Sequence, residues 1–535
     1  MNASSEKQPV RRGFMLGALI LSLSGFLSKL CGAIFKIPLT NLVGMEAMGY
    51  FGSAYAIYNF LLALATAGIP TGISTMIAKS IARKKYKDIS TVLKIAAMIF
   101  LIFSSVLTVL GLAFAGPLAE MMNSADAYWC MLAIMPAVFF ITVVAIFRGF
   151  FQGHNNMVPT AVTNVIEAFL KLVAGYGFAL ILHLQGYSPP VVVGGAMAGV
   201  TFGTIISALF MLIRYMTRGV SYRLTVSDCL HDESTPRKTL TKQFLGITFP
   251  IMLSSITANL MSALDAFFVV NRMELYMTSS EANLRWGCYS SGALTIFNLP
   301  SFFIISIGTS LVPSISMAYA RKDKPLVKNT LDSALKYSAI LAFGFGFGLS
   351  AVAEGAVRLF YGRQSEEAIA IATVLLEIVS FALVCVGLTN VTASILQSVG
   401  KAHMSVVSVA VGSVVKTLFT FLLVSIPGIN VSGAPISTNI AYPIMLLMNL
   451  FFIRKYLDYT PKIGEVLLKP LLCAGGCYGA VKCVAWLMGD LASAKWAVFP
   501  QIIVGVIVYF ALIFALKLLT FCEIRKTFKK TTSAS

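Results

Sequence analysis

GYFGSAYAIYNFLLALATAGIPTGISTMIAKSIARKK, residues 49 to 85, decides the fold. From Gly49 to Ala78 it carries no charged side chain, longer than the roughly 20 apolar residues that cross a bilayer as a helix. It then runs into Lys79, Arg83, Lys84 and Lys85. The same plan recurs. Residues 287 to 323 align with it without a gap, pairing Gly49 with Gly287, Ser53 with Ser291, Leu61 with Leu299, Thr71 with Thr309, Ile77 with Ile315, Ala82 with Ala320, Arg83 with Arg321 and Lys84 with Lys322. The matches include polar and loop positions, which shared apolarity alone does not produce. Further along, Phe151-Gln152 and the helix carrying Lys171 correspond to Leu396-Gln397 and the helix carrying Lys416. A membrane unit has been duplicated.

Outward from this repeat the whole chain reads alike. Of 535 residues 57% are hydrophobic and only 12% charged, half the charge of an ordinary soluble domain, so lipid must replace water around it. Apolar runs fall at about 14 to 37, 50 to 77, 91 to 116, 127 to 150, 158 to 184, 191 to 215 and 244 to 271. A second set falls at about 288 to 317, 331 to 353, 367 to 396, 404 to 426, 434 to 453, 466 to 488 and 496 to 519. The fold class is therefore an all-α polytopic membrane protein of about 14 transmembrane helices. Six helices per copy is an even number, so the copies share one orientation, related by an axis along the membrane normal with a cleft between them.

This divides the chain into an N-terminal six-helix lobe at 1–215, a linker at 216–243 containing Pro236, a C-terminal six-helix lobe at 244–453, and two extra helices with a basic tail at 454–535. Lysine and arginine crowd alternate loops, including 214–242, 321–328, 454–469 and the tail from Arg525 to Lys530. By the positive-inside rule both termini and the linker are cytoplasmic. Topology thus accounts for most of the net charge of +19. The basic runs lack the interleaved aromatics of a nucleic-acid surface, so no nucleic-acid partner is expected. Nine scattered cysteines, with no His partners beside Cys473, Cys477 and Cys483, suggest buried packing and no metal site.

Charge at bilayer depth is costly, so each such residue is a candidate for function. Lys94, Lys336, Lys482 and Lys517 lie within snorkelling reach of helix ends. Lys29 and Lys36, two helical turns apart, share one face of the first helix and call for an anion, although Lys36 could also snorkel beside Pro38. Glu167 and Lys171 are four apart, acid first, as in a structural ion pair. Lys416 aligns with Lys171, but Gly412 stands where the first copy has the glutamate. Asp265, on a polar stripe with Asn259 and Ser262, is placed either to neutralise Lys416 or to hold a cation. Arg148 and Arg272 lie near membrane boundaries and read as anchors. Pro70 and Gly72, with Gly308 in the matching helix, are hinge candidates for a moving cleft, packing being the alternative.

These residues carry a family resemblance. Ser28-Lys29-Leu30-Cys31-Gly32, Ala67-Gly68-Ile69-Pro70, Phe147-Arg148-Gly149-Phe150-Phe151-Gln152-Gly153, Val158-Pro159-Thr160-Ala161 and Ile395-Leu396-Gln397 together resemble the polysaccharide-flippase branch of the multidrug/oligosaccharidyl-lipid/polysaccharide (MOP) exporter superfamily. The look is nearest to its stage V sporulation protein B and lipid II flippase group. The resemblance implies twelve core helices, two extra helices forming a groove for a polyprenyl tail, and alternating access. It places the family's first-helix basic residue on Lys29, a lysine where arginine is usual, and matches a second only approximately, on Lys36.

The reading that follows is a non-enzymatic, monomeric flippase in the bacterial cytoplasmic membrane. It moves a polyprenyl-pyrophosphate-linked sugar precursor from the inner to the outer leaflet. Lys29, Lys36, Asp265 and Lys416 are the candidate substrate contacts, and membrane lipid surrounds the chain. No cofactor is expected, and coupling to an ion gradient or the membrane potential stays open. A drug/cation antiporter of the same superfamily would instead want acidic residues such as Asp265 to dominate the cleft. A membrane-embedded glycosyltransferase or ligase would want acidic or His clusters on sizeable loops, and only four histidines exist.

Overall fold

The computed structural model describes residues 8–227, 235–320, 323–489 and 495–519. The middle of the expected linker and the basic tail lie outside the described residues. The chain forms two compact units, Met1–Gly287 and Cys288–Ser535. The first contains α1 (Gln8–Thr66), α2 (Ile69–Ala82), α3 (Tyr86–Ala113), α4 (Ala115–Met121), α5 (Tyr128–Ile134), α6 (Pro136–Gly153), α7 (Val158–Leu170), α8 (Tyr176–Leu184), α9 (Pro189–Ser227), α10 (Arg237–Met273) and α11 (Ser279–Gly287). The second contains α12 (Leu294–Ala320), α13 (Lys324–Ala351), α14 (Ala353–Tyr361), α15 (Glu366–Ser398), α16 (Ala402–Val424), α17 (Gly433–Leu457), α18 (Lys469–Met488) and α19 (Val498–Ala515). Packing therefore groups α10 and α11, which the repeat assigns to the second lobe, with the first unit.

Twelve stretches among the described residues are long and apolar enough to cross a membrane. The first of them runs 60 residues, Leu23–Ala82, about 90 Å if straight, or three times the hydrocarbon core. It does not run straight. Gly44, at φ 88 and ψ 164, folds α1 back on itself, and Gly68, at φ 81, separates α2 from it, both conformations that a Cβ disfavours. Counted as two crossings, and with the charge-free 27-residue α12 added, the set reaches the expected fourteen.

The hinge candidates occupy different kinds of position. Pro70 sits in the first turn of α2, where its missing N–H costs nothing. Gly72 packs closely against α10, where a Cβ would collide with Thr248 and Phe244. The break itself is at Gly68. Gly308 lies inside α12. On its other side α2 meets α6, where Gly149 and Gly153, one turn apart, let the backbones close up: a Cβ at either would come within 2.7 Å of Ile73 or Ile77.

The duplication is also written in the backbone. After α6, the Asn156 amide donates to the Phe151 carbonyl, and Asn155 is left-handed at φ 56. After α15, the Lys401 amide donates to the Leu396 carbonyl, and Gly400 is left-handed at φ 77. These are the positions the sequence offset pairs. Two carboxylates hold connectors in place. Buried Asp88 of α3 accepts from the Thr235 amide at 2.9 Å and its hydroxyl at 2.6 Å, fastening the approach to α10. Asp332 of α13 accepts from the Tyr459 hydroxyl at 2.6 Å and pairs with Lys462 at 3.5 Å, fastening the approach to α18. Burial, reinforced by that carboxylate, raises the pKa of the Tyr459 phenol.

Candidate functional site

Folding α1 back at Gly44 brings Lys36, before the break, onto Phe51 and Tyr55, after it. The Lys36 ammonium stands 5.3 Å from the Phe51 ring centre and 5.8 Å from that of Tyr55. These two rings lie nearly parallel, 5.5 Å apart. A second cation reaches the same ring from another helix. Lys171 opens a π-helical turn, Lys171–Gly175, between α7 and α8. Its ammonium donates to the Tyr55 hydroxyl at 3.2 Å and stands 4.7 Å from the ring centre. Ring faces attract cations without cancelling their charge. Two lysines, each within a stretch long and apolar enough to cross a membrane, thus converge on one tyrosine.

The expected Glu167–Lys171 pair gives way to another. Glu167 accepts from Arg148 of α6 at 3.2 Å, with side chains 29% and 21% exposed. The helix is regular up to Lys171, whose amide bonds the Glu167 carbonyl, but a guanidinium from the neighbouring helix occupies the carboxylate and the Lys171 ammonium turns to Tyr55 instead. Arg148, Lys171 and Lys36 against Glu167 leave this part of the first unit with two positive charges.

Lys29 lies on α1 two turns before Lys36 and is exposed. The adjacent Ser28 hydroxyl bonds the Asn164 carbonyl at 2.9 Å and ties α1 to α7. Asp265 is buried in α10 of the first unit, and Lys416 is buried in α16 of the second. Gly412, in place of the glutamate, lets α16 approach α17 at Met445. Lys482, read as snorkelling, pairs with Glu377 of α15 at 2.9 Å. The sequence reading missed Tyr55, whose role arises only once α1 folds back, and took Arg148 for an anchor.

The second unit contributes a different feature. A cavity of about 590 Å³ opens between α13, α18 and α19, walled by Tyr337, Gly344, Cys477, Gly505 and Tyr509 among others. Gly344 and Gly505 let the helices of its wall close up, since a Cβ at either would come within 3 Å of Tyr509 or Val481. Its wall is almost wholly apolar, suited to hydrocarbon.

Known proteins agree with this architecture. The profile of the family described as "Polysaccharide biosynthesis protein" matches residues 14–319, and the MatE profile matches residues 250–422. Stage V sporulation protein B of Bacillus subtilis (strain 168) is 24% identical, over 86% of this chain and 87% of its own. Lipid II flippase MurJ of the same organism is 23% identical, over 89% of each. A solved structure titled "Lipid II flippase MurJ, inward closed conformation" superposes with a TM-score of 0.71 at 17% identity, covering 94% of this chain and all of that one. With the profile covering more than half of its length, the chain is a multi-pass membrane transporter that belongs to the polysaccharide biosynthesis protein family of the MOP superfamily.

Proposed function

We propose that the chain moves a polyprenyl-diphosphate-linked sugar precursor from the cytoplasmic to the outer leaflet of a bacterial plasma membrane by alternating access. The observation that carries this is the convergence of Lys36 and Lys171 on Tyr55. A diphosphate diester brings two negative charges to a place with two uncompensated positive ones, and its phosphate oxygens accept from ammonium donors. Lys29 on the same face of α1 extends the basic surface. Buried Lys416 and Asp265 are proposed as further contacts. The apolar cavity of the second unit is proposed to receive the isoprenoid chain, which leaves only the sugars to cross a wet path. The two repeat-related lobes, 1–215 and 244–453, would be the moving parts, with both termini on the cytoplasmic side.

The MatE match supports a second reading, a drug/cation antiporter, against which the cationic excess argues. Binding to the purified full chain distinguishes them. Geranylgeranyl diphosphate should bind more tightly than geranylgeraniol, and Lys36→Ala or Lys171→Ala should remove the difference. Tighter binding of a hydrophobic cation than of the diphosphate would favour the antiporter.

A further inference from the structure

We propose that Glu167 is an internal stand-in for the substrate's phosphate. It holds Arg148 while the site is empty and yields that guanidinium to a diphosphate in passage. This rests on the diphosphate reading above and adds to it a residue that sets how tightly the substrate is held.

Four observations support it. First, the pair is poised for exchange: one guanidinium nitrogen meets one carboxylate oxygen at 3.2 Å, short of the two-pronged contact that would lock an arginine in place. The Arg148 Nε is buried without a hydrogen-bond partner, so the guanidinium has donor capacity that an incoming phosphate could use. Second, both side chains remain partly exposed, at 21% and 29%, which leaves room for approach. Third, Glu167 precedes Lys171 by one turn, about 6 Å along the axis. The carboxylate that holds Arg148 is therefore on the same helical stretch as the lysine that, with Lys36, meets Tyr55. Fourth, the second copy of the repeat keeps the lysine as Lys416 but has Ala393 and Gly412 at the places of Arg148 and Glu167. Arginine and glutamate are present together or absent together, as partners in one task would be.

The physical need is plain. A carrier must bind its cargo well enough to take it up and weakly enough to release it. Three cations without a counter-ion would hold a dianion too firmly. A carboxylate that competes for the arginine lowers the affinity by its own pairing energy and restores the pair when the cargo leaves. No bond is made or broken in this exchange.

The test uses the full chain, with geranylgeranyl diphosphate as the binding probe and a fluorescent polyprenyl-diphosphate-linked hexose for transport in proteoliposomes. Glu167→Gln should bind the diphosphate about tenfold more tightly and transport more slowly, because release is now hindered. A purely structural carboxylate predicts unchanged or weaker binding, and that result overturns the proposal. Should the variant fold poorly, the unaltered protein answers by another route. Adding geranylgeranyl diphosphate should raise labelling of Glu167 by a hydrophobic carbodiimide, read by peptide mass, since the displaced carboxylate is no longer paired. Unchanged or reduced labelling overturns the proposal. If the unaltered protein prefers the diphosphate, and Lys36→Ala and Lys171→Ala weaken it, while Glu167→Gln does not tighten it, this inference alone is wrong. If the unaltered protein shows no preference for the diphosphate, the functional reading falls with it.

Discussion

Arg148, not Lys171, is the cation whose loss strands Glu167. Arg148→Ala should therefore lower thermal stability by about 2 kcal/mol, less than for a fully buried pair because both groups are partly exposed. Adding Glu167→Gln should restore part of it. Lys171→Ala should cost less, since it leaves behind only a neutral tyrosine hydroxyl. Thermal unfolding of the three variants in detergent decides the matter, and a larger loss for Lys171→Ala would contradict this pairing. Spacing in the sequence found the acid and both lysines but not their partners. Four residues on a regular helix predict Glu167 beside Lys171, and nothing in that spacing announces that Arg148 of α6 takes the carboxylate while Lys171 goes to Tyr55. Arg148 hid in a similar way: five residues from the end of α6, it counts as a boundary residue until α7 is seen to bring a carboxylate to it.

Glycines organise the elements of the first unit, at two kinds of position. Gly68 lets the chain break between α1 and α2, and Gly149 and Gly153 let α2 and α6 touch. Gly149→Val should overpack that contact and cost about 1–3 kcal/mol, whereas Gly32→Ala, with nothing within 4 Å of the added methyl, should be near neutral. Equal effects in a melting experiment would contradict the assignment. The Asp88 clamp makes a separate prediction. Asp88→Ala should speed hydrogen exchange at the Thr235 amide and leave the interior of α6 unchanged, while exchange at Thr235 identical to the unaltered protein would show that the clamp holds nothing. The Gly68-Ile69-Pro70 break was legible as a disruption because Pro and Gly are strong local signals. Assigning the freedom to Gly68 and the packing to Gly72 was not, since that depends on how close α10 comes.

At the scale of the whole molecule the repeat was the most readable feature, because its matches fall on polar and turn positions where apolar composition gives no free similarity. The turn at Asn155 and its counterpart at Gly400 bear this out in hydrogen bonds. Packing was less readable: the repeat divides the chain before α10, while contacts divide it at Gly287 and Cys288, since covalent order does not dictate which neighbour a helix meets. The proposed topology has its own check. In a cysteine-free background an impermeant maleimide should label Ala125→Cys in intact cells and reach Lys84→Cys only after the membrane is opened, and the reverse pattern would invert the assignment. The central claim is that Lys36 and Lys171 together hold the diphosphate. It is tested most directly by transport of a fluorescent polyprenyl-diphosphate-linked hexose in proteoliposomes. Loss of a charge-assisted contact made during passage should slow Lys36→Ala and Lys171→Ala each by about tenfold or more at normal protein abundance, with part of the rate kept by Lys171→Arg, and full transport by the double alanine variant would contradict the account.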